Sequence, residues 1–421
     1  MKQKFFLTLL LLLAATTATA RAYEIMVDGI YYIINGNEAS VDYNPDGYSG
    51  EITIPEVVTY RGVSYPVTSI GPLAFNECRE LTKVSIPNSV TSFKESAFMH
   101  CKGLKDLTIS SNVTFIGDHA LAYCTGLTSI VVPNSVTFIG RSAFVGCTSV
   151  TSMTVESGNP MYDSRDNCNA IIETASNTLI SACKTAFIPT SVTSIGDYAF
   201  ANCRGLTSLT IPNSVTHIGD EAFFYCYRLT SLTIPSSVTS LGVNPFLDCD
   251  GLKTIIVEAG NPSYDSRDSC NAIIETVSNT LISACYNTII PSSVTSIGEW
   301  AFGRLNQLVS ITIPSSITSI GDNAFYGCDY LKNVYSYIAD PSRVPIGNGA
   351  FYTFDHYSNR TLHVPAGTSA LYQANDSWSP FFGQIVEMSE PVSEVNCDLN
   401  GDGVVNISDV NIVVNYILTH E

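Results

Sequence analysis

The sequence predicts a repeat solenoid. Three observations predict it: a 23-residue frame recurring from Val58 to Thr353, apolar residues at fixed places in that frame, and a Pro that in most copies stops the apolar stretch at the same point. The clearest copy, LTSLTIPSSVTSLGVNPFLDCDG, starts at Leu229. Others start at Val58, Leu81, Leu104, Leu127, Cys183, Leu206, Cys285, Leu308 and, less cleanly, Leu331. Two longer copies of 33 residues start at Val150 and Leu252, making twelve coils.

Positions 1, 4 and 6 of the frame are apolar (Leu229, Leu232, Ile234; Leu206, Leu209, Ile211), and such alternation over a short span reads as a strand. Pro at position 7 (Pro87, Pro212, Pro235, Pro314) ends it, having no N–H to give a neighbouring ladder. Val215 and Ile218 mark a second inward-facing segment, Gly219 turns the chain, and Ala222-Phe223 sends one aromatic per coil inward. No coil buries its apolar face alone, so the core exists only between neighbours. Strand positions 3 and 5, exemplified by Ser208, Thr210, Ser231 and Thr233, should form an exposed polar face available to a protein or glycan ligand, although Ser and Thr also suit any exposed strand.

The flanks lie outside this frame. Lys2 and Lys4, an apolar run from Phe5 to Ala15 and an A-x-A site at Ala18 to Ala20 read as a signal peptide over residues 1–20, too short in its apolar part to span a bilayer. Residues 23–57 are strand-rich, with Asp28-Gly29 as a hairpin turn, and are expected to cap the open end of the solenoid; Tyr31, Tyr32 and Tyr43 as sugar-stacking rings are the alternative. The array runs over 58–353. Residues 354–386 form the other cap, with a strand near Leu362 and Val364, a helix across Ser369 to Ala374, and Trp378, Phe381 and Phe382 as its cover. Residues 387–395 are a linker to a module at 396–421.

Each long coil adds a segment, ESGNPMYDSRD (Glu156 to Asp166) or EAGNPSYDSRD (Glu258 to Asp268), before a hairpin. Insertions in solenoids map to loops on one face, which makes Tyr162 and Tyr264 candidate aromatic anchors and Arg165 and Arg267 candidate donors for a ligand. Asp163/Asp166 and Asp265/Asp268 are paired carboxylates compatible with glycoside hydrolysis, but turn hydrogen bonds and pairing with the nearby Arg explain them better. Six His form neither an HExxH pair nor a close cluster, and no G-x-S-x-G elbow occurs. A non-enzyme is expected.

The formal charge of −18 becomes more acidic once Lys2 and Lys4 leave with the signal peptide. Such a balance disfavours nucleic acid and anionic lipid as partners. Eight of the thirteen Cys share one frame position (Cys78, Cys101, Cys124, Cys147, Cys203, Cys226, Cys249, Cys328), predicting a stacked ladder of free thiols, with disulfides between adjacent coils as the alternative. In NCNAIIETASNTLISAC a four-residue turn from Thr174 to Asn177 sets Ile171 opposite Ile180, and that register makes Cys168–Cys183 and Cys270–Cys285 candidate disulfides.

The C-terminal module carries the clearest chemistry. Asp398, Asn400 and Asp402 stand at loop positions 1, 3 and 5, Val404 offers its backbone carbonyl at 7, and Asn406 and Asp409 stand at 9 and 12. Hard calcium prefers such oxygen ligands on a flexible loop, and Gly403 permits the sharp turn. Val410, Val413, Val414 and Ile417 then recur on one helix face.

Two resemblances add to this. DLNGDGVVNISD resembles a dockerin repeat, which implies a calcium-folded module that plugs into a cohesin; dockerins normally have two such repeats, and one is visible here. The motif L-x-x-L-x-I-P-x-x-V-x-x-I-G-x-x-A-F-x-x-C, from about Gly29 through Val386, resembles BspA-like, Treponema-type leucine-rich repeats of secreted and surface proteins of oral and gut bacteria. With the patterns above, the expected fold is a leucine-rich repeat array with short parallel β-strands, hairpin insertions in the two long coils, end caps and a small calcium loop-helix module, and the BspA-like resemblance implies the array. It also implies noncatalytic adhesion outside the cell, to a host or bacterial surface protein or glycan. A structural part of a dockerin-cohesin polysaccharide-degrading assembly is the alternative, and a glycoside hydrolase the more remote one.

Overall fold

The computed structural model describes residues 23–353 and 360–388. Coils stack through two ladders of short parallel strands. One ladder uses frame positions 3 to 6: Ser231–Ile234 lies on Thr254–Val257 in the register Ser231↔Thr254 and Ile234↔Val257. The other uses positions 12 and 13, where Ser92–Phe93, Phe115–Ile116 and Phe138–Ile139 pair side by side. The second ladder was legible in sequence only as an inward apolar segment, because two residues are too few for periodicity to act on. Exposed Thr hydroxyls extend it: Thr91 Oγ1 donates to Thr68 O at 3.2 Å and Thr216 Oγ1 to Thr193 O at 3.3 Å. The Ser/Thr richness of the surface thus has a use within the array.

Stacking places like on like. Phe75 and Phe98 lie 5.0 Å apart and nearly parallel, as do Phe325 and Phe351 at 4.9 Å, and all four are fully buried. Removing such a ring typically costs about 3–5 kcal/mol. The cysteines are the polar counterpart. Most of the ladder thiols donate to the carbonyl of the inward Phe one coil earlier: Cys101 to Phe75 at 3.0 Å, Cys124 to Phe98 at 3.0 Å, Cys226 to Phe200 at 3.1 Å, Cys328 to Phe302 at 3.0 Å. Burial pushes the Cys249 and Cys328 thiols up to about 12, so the proton needed for donation is present at neutral pH. At the last coil no further Cys takes this place; instead the buried Arg360 donates to Phe351 O at 2.7 Å and to Leu331 O at 3.1 Å. Gly219 is required for a different reason than the turn expected of it. A Cβ there would lie 2.6 Å from Asp197 N, so the glycine admits close approach of the neighbouring coil.

Both ends depart from the expected boundaries. Tyr23–Val27, Ile30–Asn35 and Glu38–Val41 form an antiparallel meander that joins Val63–Ile70 in parallel, a capping sheet as expected. Gly50–Thr53, however, pairs in parallel with Leu81–Ser85 and is the first rung of the array. Ile52-Thr53-Ile54-Pro55 is a strand-and-stop of the repeat frame, and the hairpin Val57–Tyr60/Val63–Ile70 interrupts that first coil. At the other end, Thr361–Val364 and Gln384–Glu387 add two rungs to the sheet that begins at Ser310–Ile313. The helix Ser369–Gln373 forms there, and Tyr372, Trp378 and Phe382 close the core, with Tyr372 Oη donating to Ile338 O at 2.8 Å.

The core is divided into three apolar clusters, and the divisions fall at the long coils. Ala170–Glu173 is buried on both faces: Ile171 packs into the first cluster, while Ala170 and Ile172 pack into the second. Ala272–Glu275 repeats this between the second and third clusters.

Candidate functional site

The long-coil segments, expected to be ligand loops, are joints. At each, a parallel ladder ends and an antiparallel hairpin begins a new sheet. Phe138–Ile139 is left as an edge, and Tyr162 covers it: its hydroxyl accepts the Ile139 N–H at 3.0 Å. Tyr264 does the same for Leu241 N–H at 3.1 Å. Both rings are interior, 5% and 7% exposed, so neither is a surface anchor; a flat ring is needed there to fill the junction between clusters. Asn159 Nδ2 donates to Pro133 O and Val136 O, both at 2.9 Å, and Asn261 repeats the pattern on Pro235 O and Val238 O.

Arg165 and Arg267 are likewise committed inside the joint. Arg165 grips Asp163 through Nε at 2.9 Å and Nη2 at 2.6 Å, and its Nη1 donates to Asn177 Oδ1 at 2.8 Å. Arg267 makes the same fork on Asp265 and reaches Asn279 at 2.8 Å. The guanidinium is thereby held protonated above its ordinary range, chiefly by the Asp hydrogen bonds. These hydrogen bonds set the hairpin.

The expected disulfides are also corrected. Among the described residues all cysteines are free thiols. The Ile172↔Leu179 pairing has the expected register, but a bulge between Ile171 and Ile172 shifts the remaining pairs, so that Ile171 lies opposite Ser181 and Cys183 N meets Asn169 O. Cys168 then faces the second cluster and Cys183 the first, on opposite sides of the sheet. Cys270 and Cys285 are separated in the same way.

Ser231 and Thr233 are exposed on the first ladder, as expected. Ser208 and Thr210 lie on a coil that forms no strand there, so the polar face is broken at that rung. The residues that sequence reasoning missed stand at the second joint. Because a hairpin strand replaces the usual turn, the tips of the flanking turns meet across it, 56 residues apart: Asn306 donates from N and Nδ2 to the two oxygens of Asp250 at 3.1 and 3.0 Å. Beside them Arg304 Nη1 stands 3.5 Å from Asp248 Oδ2, and Arg204 stacks 5.1 Å over the Tyr225 ring. Together with Tyr227, Gln307 and Asp329 these line an open cleft of about 520 Å³. Asp248 is 6% exposed, and its Oδ2 has no hydrogen-bond partner. Burial pushes its carboxyl up to about 6, with Arg304 pulling back only in part. The available signal was the 102-residue offset between the long coils, which sets Asp248 against Gly146 and Arg304 against Asn202.

Asp398, Asn400, Asp402, Val404, Asn406 and Asp409 lie outside the described residues, as do the signal peptide and the linker from residue 389. Among the described residues no helix is long and apolar enough to cross a membrane.

Against known proteins, residues 58–168, 179–278 and 279–370 match the BspA type leucine rich repeat region, in six copies. No curated protein matches the chain. Among solved structures, a leucine-rich repeat protein from Eubacterium ventriosum is 20% identical with a TM-score of 0.50, covering 89% of this chain and 98% of its own. A leucine rich cell surface protein from Faecalibacterium prausnitzii is 25% identical with a TM-score of 0.46, covering 89% and 97%. A leucine-rich repeat protein from Bacteroides ovatus is 24% identical with a TM-score of 0.36, covering 87% and 100%.

Proposed function

Since the chain belongs to the BspA-type leucine-rich repeat family, we propose that it is a noncatalytic recognition protein, exported to the bacterial cell surface or beyond, that binds a host or bacterial surface protein or glycan through its array. The observation that carries this reading is the cleft at the second joint. Its polar groups sit on stacked turns, where Asn306 holds Asp250 and Arg304 pairs with Asp248. Structural demands account for Tyr162, Arg165, Tyr264 and Arg267, but not for the divergence of Asp248 and Arg304 from the first joint. Capture of material from host and bacterial surface extracts by the full chain tests it; an inert protein in both would refute it.

The C-terminal segment DLNGDGVVNISD favours a calcium-stabilised attachment role alongside. In this reading Asp398, Asn400, Asp402, Asn406, Asp409 and the Val404 carbonyl ligate calcium, and a cohesin is the partner to try first. Calorimetric titration of calcium into the full chain should give a saturable heat that Asp398→Ala with Asp402→Ala abolishes, and unchanged heat in the double variant would remove the site. Retention by purified cohesins would move the protein towards the assembly reading.

A further inference from the structure

We propose that the cleft bounded by Tyr225 and Tyr227 on one side and Asp250, Arg304 and Asn306 on the other is a subsite for a neutral saccharide. The proposal deepens the recognition reading and rests on it. Its volume of about 520 Å³ lies in the range of small-molecule sites and is open at the surface, as an extended chain ligand requires.

The lining decides the chemistry. Asp250, Asn306, Gln307 and Arg304 are planar groups with paired donors or acceptors, suited to the adjacent hydroxyls of a sugar ring. Most are preset: Asp250 is held by Asn306, and Gln307 Nε2 donates to Asp250 O at 3.1 Å. Preset groups lose little freedom on binding. Tyr227 is 41% exposed and lines the cleft beside the polar wall, nearly perpendicular to Tyr225 at 6.3 Å, so aromatic surface is at hand for the apolar face of a pyranose.

Charge argues for neutrality. The carboxylates of Asp248, Asp250 and Asp329 stand with the guanidiniums of Arg204 and Arg304, an almost balanced set in which Arg304 pairs with Asp248 and Arg204 lies on Tyr225. A polyanion would meet Asp250, and a cation would meet Arg304. The cleft walls are too polar to anchor an apolar peptide side chain.

The experiment uses the full chain and calorimetric titration with tetrasaccharides of β-glucan, xylan, mannan, starch and β-galactan. Sulfated heparin fragments and oligolysine serve as charged arms. At least one neutral tetrasaccharide is expected to bind, and Tyr227→Ala and Gln307→Ala are each expected to weaken it roughly tenfold. Both positions are at the surface, and matched thermal melts confirm that the variants fold. No heat from any neutral probe, binding to the charged probes alone, or affinity unchanged in both variants would overturn the proposal. Capture from surface extracts separates the two levels. If the wild type and Tyr227→Ala capture equally, the recognition reading stands and the cleft is not its site; if capture falls with Tyr227→Ala, the cleft is supported.

Discussion

The two joints share one motif and differ in their neighbours. At each, Tyr covers the orphan strand N–H, Asn staples the preceding turn and Arg grips Asp within the hairpin. Around the first joint stand Gly146, Thr148 and Asn202 beside a space of only about 20 Å³, where Lys184 donates to Thr148 O at 3.1 Å; a separate cavity of about 190 Å³ lies by Tyr162 and Tyr198, and the second joint has its own small space of about 10 Å³ by Phe246 and Trp300. Around the second stand Asp248, Asp250 and Arg304, and the space is an open cleft of about 520 Å³. The backbone did not have to change: Gly146 has φ 74° and Asp248 φ 60°, the same left-handed conformation, which Asp tolerates better than most side chains. The repeated motif therefore marks architecture, and the two joints differ in the polar residues beside it.

The largest expected effect tests the shared half of that comparison. Tyr162→Ala and Tyr264→Ala should each cost about 3–5 kcal/mol, and about equally, because each empties the seam between two core clusters. Denaturant unfolding measures both; a loss below about 1 kcal/mol in either would return that ring to the surface.

Next comes Asp248→Asn, which has no counterpart at the first joint. Folding raises this carboxyl from 3.8 to about 6, so the native state holds the proton more tightly than the unfolded chain. Its contribution is full below about pH 4 and is lost as pH rises through about 6. The parent should therefore lose roughly 2–3 kcal/mol between pH 4 and a pH above 6 through this group, and Asp248→Asn should remove that loss. Melting curves across pH 4 to 7 that keep their slope in the variant would show that burial of Asp248 is not its source.

Smaller still, Tyr162→Phe and Tyr264→Phe keep the packing and remove only the acceptor. Each leaves a strand N–H unpaired and should cost about 1–3 kcal/mol, with faster amide exchange at Ile139 or Leu241. Least of all, Ser231→Ala should change stability by no more than about 0.5 kcal/mol, since it is exposed on its strand. A measurable loss of ligand capture in that variant would bring the strand face back beside the cleft.

Much of the array was legible because repetition averages out local ambiguity. The frame marked Leu232, Ile234, Val238 and Phe223 as interior, and each is buried. The cysteine ladder was also readable as free thiols, though not the Cys101 thiol's bond to the carbonyl of Phe75, since a hydrogen-bond partner in the next coil leaves no trace in spacing. The first rung was missed for a different reason. Ile52-Thr53-Ile54-Pro55 carries the signal, but the inserted hairpin sets that rung out of step with the 23-residue count, which Val67 and Val90 keep. The disulfides failed on one bulge, because a single extra residue turns a cysteine to the other face of its strand.

What the sequence by itself determined is the stack: period, strand stops, inward Phe and Cys, and the two places where the period lengthens. Those are set by local pattern, since each coil meets only its neighbours. What the tertiary structure alone decided is the use of the lengthened coils. Whether Tyr264 points out to a ligand or in to Leu241, and whether Asp250 meets Asn306, depends on how a hairpin displaces a turn and brings distant tips together. No rule of spacing along the chain encodes that distance.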